Sequence, residues 1–364
     1  MTENIAVIFG GASNENEISV ITGTMAVNVL KSAGYAVTPV YISQDNEIYC
    51  DERLGDIANF SSDKYRTFPR AIFANGGVYT LNKRSKPKNF IKVDVALNCC
   101  HGGFGEGGGI SGLCAVLGIP LASAGVFESA VFMDKYLTKL ILSSLGVKTA
   151  KYAYVTKSGG CHGDMPPFPV IVKPVSLGSS IGVEKADNEE QLAVALESAL
   201  IYDSAAIVEE YFSDRREINC AAYYSEGKVI ISPCEEALVK GGIFSYDDKY
   251  RGKGASAFPA ELPEDISSRI RDTAAEVYSK LNMRGIVRFD FIICDGEIYL
   301  SEVNTVPGSL SYYLLSGGFK DFAGILKKVI LQAKQDFKDG QNKKLIKTGI
   351  LENLRPNACK IGRK

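Results

Sequence analysis

Near the C-terminal end of the 364-residue chain, Arg288, Asp290, Glu302 and Asn304 stand on two strand-like runs, RFDFIIC and GEIYLSEVN, that flank Asp295-Gly296. Two carboxylates and an amide are hard oxygen donors suited to Mg²⁺. Register decides whether they meet. A two-residue loop at Asp295-Gly296 pairs Cys294 with Glu297 and turns Asp290 away from Glu302 and Asn304, because side chains alternate with period two. A three-residue loop with Gly296 in the left-handed conformation pairs Ile293 with Glu297 and puts all four on one face. The expected turn is therefore bulged. The same residue types would equally suit a solvated polar face on a half-buried sheet.

Lys173 stands in the apolar run VIVKP, followed by Gly178, Ser179, Ser180 and Gly182. A strand lysine beside a Gly/Ser loop offers a point charge and close backbone N–H groups, which a nucleotide phosphate needs. The Walker A pattern is absent. By itself, Lys173 reads more simply as a lysine snorkelling at a strand end. Glu209 and Glu210 close the strand-like AAIVEE and fit a charged strand end as well as contacts to adenine or ribose. Of the two histidines, His101 follows the strand VDVALNCC and precedes a Gly-rich turn, whereas His162 sits in an unremarkable loop.

The elements that must position these groups alternate between strand and helix patterns. IAVIFG runs into Gly-Gly and then a helix with Ile18, Ile21, Met25 and Val29 at helical spacing; AVTPVYIS and VDVALNCC follow as strands. That order implies an α/β fold with a mostly parallel N-terminal sheet, its ligand loops GGAS and HGGFGEGGG at the carboxyl ends of strands. A second unit runs from a helix at MDKYLTKLILSSLG through VIVKP, a helix and AAIVEEYF. A third opens with EINCAAYY and KVIISPC, joined by a Ser-Glu-Gly turn, then an irregular stretch from Glu235 to Pro259 with the character of a lid. The amphipathic segment DFAGILKKVILQAKQDF closes the fold before a basic tail.

Composition is that of a globular protein: 46% hydrophobic, 23% charged, 41 basic against 42 acidic residues. The near-zero balance argues against a broad nucleic-acid footprint. Absence of long apolar runs and of a signal pattern at Met1–Ala6 points to a cytoplasmic protein without membrane contact. Nine cysteines without metal spacing read as buried thiols.

Taken in order, GGASNENEIS, HGGFGEGG, MDK, VIVKP with LGSSIG, IVEEYF, YDDKY, RFDF and EVNTVPGS resemble the D-alanine–D-alanine ligase family of ATP-grasp enzymes over about residues 5–335. The resemblance implies a three-domain ATP-grasp fold: an N-terminal Rossmann-like domain over 1–124, a central subdomain over 125–210, and a C-terminal subdomain over 211–338 carrying a lid at 235–259, with a basic tail at 339–364. It implies ATP held between the last two, with Lys135, Lys173, Ser180 and Lys249 at the phosphates, Glu209, Glu210 and Phe212 at adenine, and Glu217 at the ribose. Asp290, Glu302 and Asn304 match the ligands of two Mg²⁺ ions, for which Mn²⁺ could substitute.

By the same resemblance, Glu17 holds the ammonium of a first D-alanine near His101, and Glu17, Ser179 and Tyr250 orient it. Its carboxylate attacks the γ-phosphorus to give an acyl phosphate. A second D-amino acid then attacks through its amine, with Arg288 and the Gly308 N–H stabilising the oxyanion. A homodimer serving peptidoglycan precursor synthesis is implied. Two departures lie on the acceptor side: Gly107 replaces an acidic residue, and Tyr313 stands where the family commonly has a serine, leaving Ser309, Ser311 or a tyrosine to meet the acceptor carboxylate. They support an alternative, a paralogue joining D-alanine to D-serine or another acceptor. Retention of Tyr246, Asp247, Lys249 and Tyr250 favours an amine over a hydroxyl acceptor.

Overall fold

The computed structural model describes residues 3–238 and 255–342, together with 346, 348 and 349. Tyr246, Asp247, Lys249 and Tyr250, expected to belong to a lid, and most of the basic tail lie outside the described residues.

The strand Asn4–Gly10 runs parallel between Ala36–Ile42 and Val95–Asn98, with Ile48–Cys50 antiparallel at the edge. Its alternation explains why it is central: Ile5, Val7 and Phe9 enter one core with the helix Asn16–Ser32, while Ala6 and Ile8 enter another with the helix Ile110–Val116. The final helix, Phe319–Gln341, returns to the first of these cores through Phe322, Leu326, Val329 and Ile330. A separate antiparallel sheet of Ala71–Ala74, Gly77–Leu81 and Pro87–Lys92 was not foreseeable from periodicity, since PKNFIK is almost wholly exposed.

A five-stranded antiparallel sheet follows. Val170–Pro174 pairs with Ala205–Glu210, placing Ile171 opposite Glu209 and Lys173 opposite Ile207. Val170, Val172, Ala206 and Val208 therefore face the helix Glu189–Tyr202, and Ile171, Lys173 and Glu209 share the other face. The fourth sheet has six strands, with Arg216–Ser225 between Glu235–Leu238 and Val287–Cys294; the helix Glu264–Lys280 backs it. The stretch expected to be irregular from Glu235 to Pro259 begins and ends as strands, because Glu235–Leu238 pairs with Ala255–Ala257. Among the described residues no helix is long and apolar enough to cross a membrane, and Cys50, Cys99, Cys100, Cys114, Cys220 and Cys234 are buried free thiols.

The expected bulged turn is overturned. Cys294 pairs with Glu297, so Asp295 and Gly296 form a two-residue loop, both left-handed (φ 51° and 77°). Taken alone, that register would separate the carboxylates. The extra residue is instead Ser301: Phe291 pairs with Leu300 and Asp290 with Glu302, so the strand bulges between them. The burial pattern carries the same signature, with Leu300 and Val303 buried and Ser301 and Glu302 half-buried. Arg288, Asp290, Glu302 and Asn304 consequently share a face after all.

Candidate functional site

A cleft of ≈ 490 Å³ opens between the loops of the parallel sheet and the five- and six-stranded sheets. A larger, more open groove of ≈ 670 Å³ lies by Glu3, Tyr35, Lys320 and Lys327, where no comparable set of groups converges. In the cleft, Lys173 donates to Glu209 Oε2 at 2.5 Å, while Lys139 Nζ approaches Glu209 Oε1 at 2.8 Å and the Ala150 carbonyl at 3.2 Å. Glu209 is thus not a free adenine-edge carboxylate but the shared anion of two lysines. Burial alone would raise its pKa, yet Lys139 and Lys173 pull it down to about 2. Burial likewise disfavours the Lys173 charge, but Glu209 outweighs it and the ammonium is strengthened. Lys139, itself 2% exposed, was missed in the sequence; its signal was the spacing i, i+4 from Lys135 on one helix face. Glu210 and Phe212 also line the cleft, as does Glu217, which accepts from Arg215 Nε at 2.8 Å.

Lys135, at the first turn of the helix Lys135–Ser144, donates to the Leu177 carbonyl at 2.6 Å and stands 3.5 Å from Glu302. Across the wall, Arg288 forks onto both oxygens of Asp290 (2.7 and 2.8 Å), and Asn304 Nδ2 donates to Asp290 at 3.0 Å. Two carboxylates and an amide on one face of the paired strands fit part of an octahedral oxygen set, the remainder coming from water and phosphate. Among the described residues no three of His, Cys, Asp and Glu cluster as ligands. Asp290 and Glu302 instead rest against Arg288 and Lys135.

The first unit closes the opposite wall, and here Glu17 is corrected. Glu17 is exposed in the first turn of the helix Asn16–Ser32 and does not line the cleft. Glu15 does: it occupies the N-cap position, and Ser179 Oγ donates to its Oε1. Two residues along a helix rotate a side chain by about 200°, so only one of the two can face inward. A Cβ on Gly178 would stand 2.8 Å from Glu15 Oε2, which is why the loop backbone approaches so closely there. Ser179 and Ser180 are both left-handed (φ 55° and 59°), and both line the cleft.

His101 is buried beside this wall. Burial and then Arg288 push its pKa down to about 3, with a hydrogen bond to the Val306 backbone opposing; the ring is neutral. Its Nε2 lies 2.8 Å from Thr22 Oγ1. Glu106, from the same Gly-rich loop, accepts the Gly102 N–H at 2.7 Å, and burial followed by Glu15 raises its pKa to about 8. Gly308, Ser309 and Tyr313 line the cleft; Tyr313 hydrogen-bonds Arg288. Ser311 is corrected: it is fully buried, does not line the cleft, and its Oγ has no hydrogen-bond partner among the described residues. The left-handed backbone of Ser309, Leu310 and Ser311 turns it inward. His162 lies on an exposed strand edge.

Two family models match the chain: D-ala D-ala ligase N-terminus over residues 4–124 and D-ala D-ala ligase C-terminus over residues 141–326. It is similar to the D-alanine–D-alanine ligase of Thermosipho africanus, 33% identical over 93% of this chain and 95% of the relative. To that of a Sulfurovum species it is 34% identical over 89% and 91%. Among solved structures, it is similar to the D-alanine–D-alanine ligase of Helicobacter pylori, with a TM-score of 0.75, 27% identity and coverage of 91% and 98%. The VanG D-Ala:D-Ser ligase of Enterococcus faecalis gives 0.76, 25%, 92% and 100%.

Proposed function

The chain belongs to the D-alanine–D-alanine ligase family and is a ligase, and from that premise we propose that its cleft joins two D-alanines at the expense of ATP. The observation that carries this reading is the meeting of a phosphate-directed lysine pair, Lys135 and Lys173, with Glu15 and Ser179 on the facing wall and Arg288 between them. Lys173 is charged and held by Glu209, so it presents a fixed cation to a nucleotide phosphate. Phe212 and Glu210 border the adenine, and Glu217 receives the ribose hydroxyls.

The Glu15 carboxylate takes the ammonium of the first D-alanine, and Ser179 holds Glu15 in place. The substrate carboxylate attacks the γ-phosphorus, ADP departs, and an acyl phosphate forms. The amine of the second D-alanine then attacks that carbonyl; Arg288 and the Gly308 N–H receive the oxyanion, and phosphate leaves as the peptide bond forms. Asp290, Glu302 and Asn304 hold Mg²⁺, which neutralises phosphate charge when bound. Lys249 and Tyr250 complete the reading as lid groups over the phosphate and the first substrate. Neutral His101 cannot repel the first ammonium, and Tyr313 on Arg288 borders the acceptor. A cytoplasmic homodimer supplying peptidoglycan precursors, divided into domains near residues 124 and 210, completes the proposal.

The test is phosphate release from ATP and Mg²⁺ with D-alanine, beside a panel of D-amino and D-hydroxy acids as second substrate. Saturable release that requires D-alanine, with dipeptide formed, is expected. Release no faster than the ATPase background would sink the reading.

A further inference from the structure

The segment after Asn304 carries three successive left-handed residues, Ser309 (φ 50°), Leu310 (φ 48°) and Ser311 (φ 50°). None is glycine, so each sits against its intrinsic backbone preference. Such a run persists only where the surroundings over-determine it.

Three side chains of the first unit hold this segment. Thr22 Oγ1 accepts the Ser309 N–H at 2.9 Å and lies 2.8 Å from His101 Nε2. His101 and Glu106 each lie beside the Val306 backbone, which bears on the protonation of both. A backbone group that favours the imidazolium is a carbonyl, so the His101 N–H is placed on the side of the Val306 carbonyl; one that favours the carboxylate is the N–H. A neutral ring has a single N–H, so Nε2 is bare and the Thr22 hydroxyl donates to it. That leaves the Thr22 lone pairs for Ser309. The bonds run in one direction, from Ser309 N–H through Thr22 to His101.

Thr22 is fully buried and does not line the cleft, so it can reach the reaction only through Ser309 and His101. We propose that Thr22 is a positioning residue: its hydroxyl fixes the His101 tautomer and the Gly308–Ser309 backbone, and thereby the amide that receives the oxyanion. The proposal rests on the reading above, in which Gly308 serves the acyl transfer and ATP binds elsewhere in the cleft.

Thr22→Val preserves shape and removes the hydroxyl, whereas Thr22→Ser keeps it; Thr22→Ala replaces the valine variant should that one not fold. The valine variant is expected to lose about 10- to 100-fold in kcat, with KM for ATP moving less than about twofold, while the serine variant keeps kcat within about threefold. Independently of turnover, the ring ¹⁵N shifts of His101, one of only two histidines, are expected to report a bare Nε2 in the wild type and the serine variant and a redistributed tautomer in the valine variant. Valine and serine variants that fall together, a KM for ATP that rises in step, or a valine variant with unaltered kcat would each overturn the proposal. A wild type that releases no phosphate with D-alanine overturns the functional reading and this proposal with it; an active wild type beside an equally active valine variant overturns this proposal alone.

Discussion

At the residue scale, the instructive pair is Glu15 and Glu17, two acidic residues in one loop-to-helix string. By sequence resemblance Glu17 is the ammonium partner; the start of the helix at Asn16 instead leaves Glu15 at the N-cap facing Ser179 and Glu17 in solvent. Charge-assisted hydrogen bonds contribute about 1.5–3 kcal/mol, so Glu15→Gln is expected to reduce kcat/KM for D-alanine by roughly ten- to hundredfold, with Glu17→Gln close to wild type. Steady-state kinetics on both variants decides it, and equal losses would restore Glu17. Lys139 makes a second case. It takes the Glu209 oxygen that Lys173 leaves, so one buried carboxylate is shared by two ammonium groups. Lys139→Met leaves Glu209 to Lys173 alone and is expected to cost about 1.5–3 kcal/mol in urea unfolding and to raise KM for ATP. In combination with Glu209→Gln the losses should be less than additive, because the residues form one network; strict additivity would argue that Lys139 merely packs.

At the element scale, two small features set the placement of whole helices. Gly23 lets the helix Asn16–Ser32 lie flat on Phe9: a Cβ there would stand 2.2 Å from the Phe9 ring. Gly23→Ala is therefore expected to lose about 1–3 kcal/mol by overpacking, despite alanine's better helix propensity; a stabilised variant in calorimetry would refute that packing argument. Asp134 caps the helix that carries Lys135 and Lys139, accepting the Leu137 N–H at 2.9 Å, and Asp134→Ala should cost about 1 kcal/mol. Such elements were legible wherever periodicity was strong. The alternation in IAVIFG, the turn with Glu226 and Gly227 left-handed between Ser225 and Lys228, and the lysine strand VIVKP all stand where the pattern put them. What was illegible is instructive for a physical reason. A bulge costs one residue anywhere along a strand, so the pattern required an extra residue between Asp290 and Glu302 without fixing its position, and Ser301 supplies it in place of the turn. Likewise Ser311 is turned inward by backbone dihedrals that no hydrophobic period encodes, and the strands at Glu235–Leu238 and Ala255–Ala257 are too short to announce themselves.

At the scale of the whole molecule, the cleft brings acidic groups from separate units into one poorly solvated space, and Glu106 is where this should become measurable. It comes from the first unit, bonds the Val306 backbone of the third, and feels both Glu15 and Glu302. In the unfolded chain a glutamate titrates near about 4.3; folded, Glu106 is raised to about 8. Between those values the folded protein retains a proton that the unfolded chain has lost, so stability falls as pH rises. Its contribution is complete below the unfolded value and gone once pH passes the folded one. Glu209 works in the opposite sense, with a folded pKa of about 2, so its contribution is present above the unfolded value and disappears only in acid, outside this window. Burial of neutral His101, with a folded pKa of about 3, makes stability rise with pH up to its unfolded value and offsets Glu106 there; without nucleotide or divalent ion the wild-type Tm is therefore expected to decline between about pH 7 and 9, and Glu106→Gln, which keeps an acceptor but cannot ionise, should flatten that slope. Parallel Tm curves for the two proteins would show that Glu106 is not the group responsible. The same deprotonation places a second negative charge beside Glu15, so activity should decline on the alkaline side together with stability, and the glutamine variant should lose that coupling.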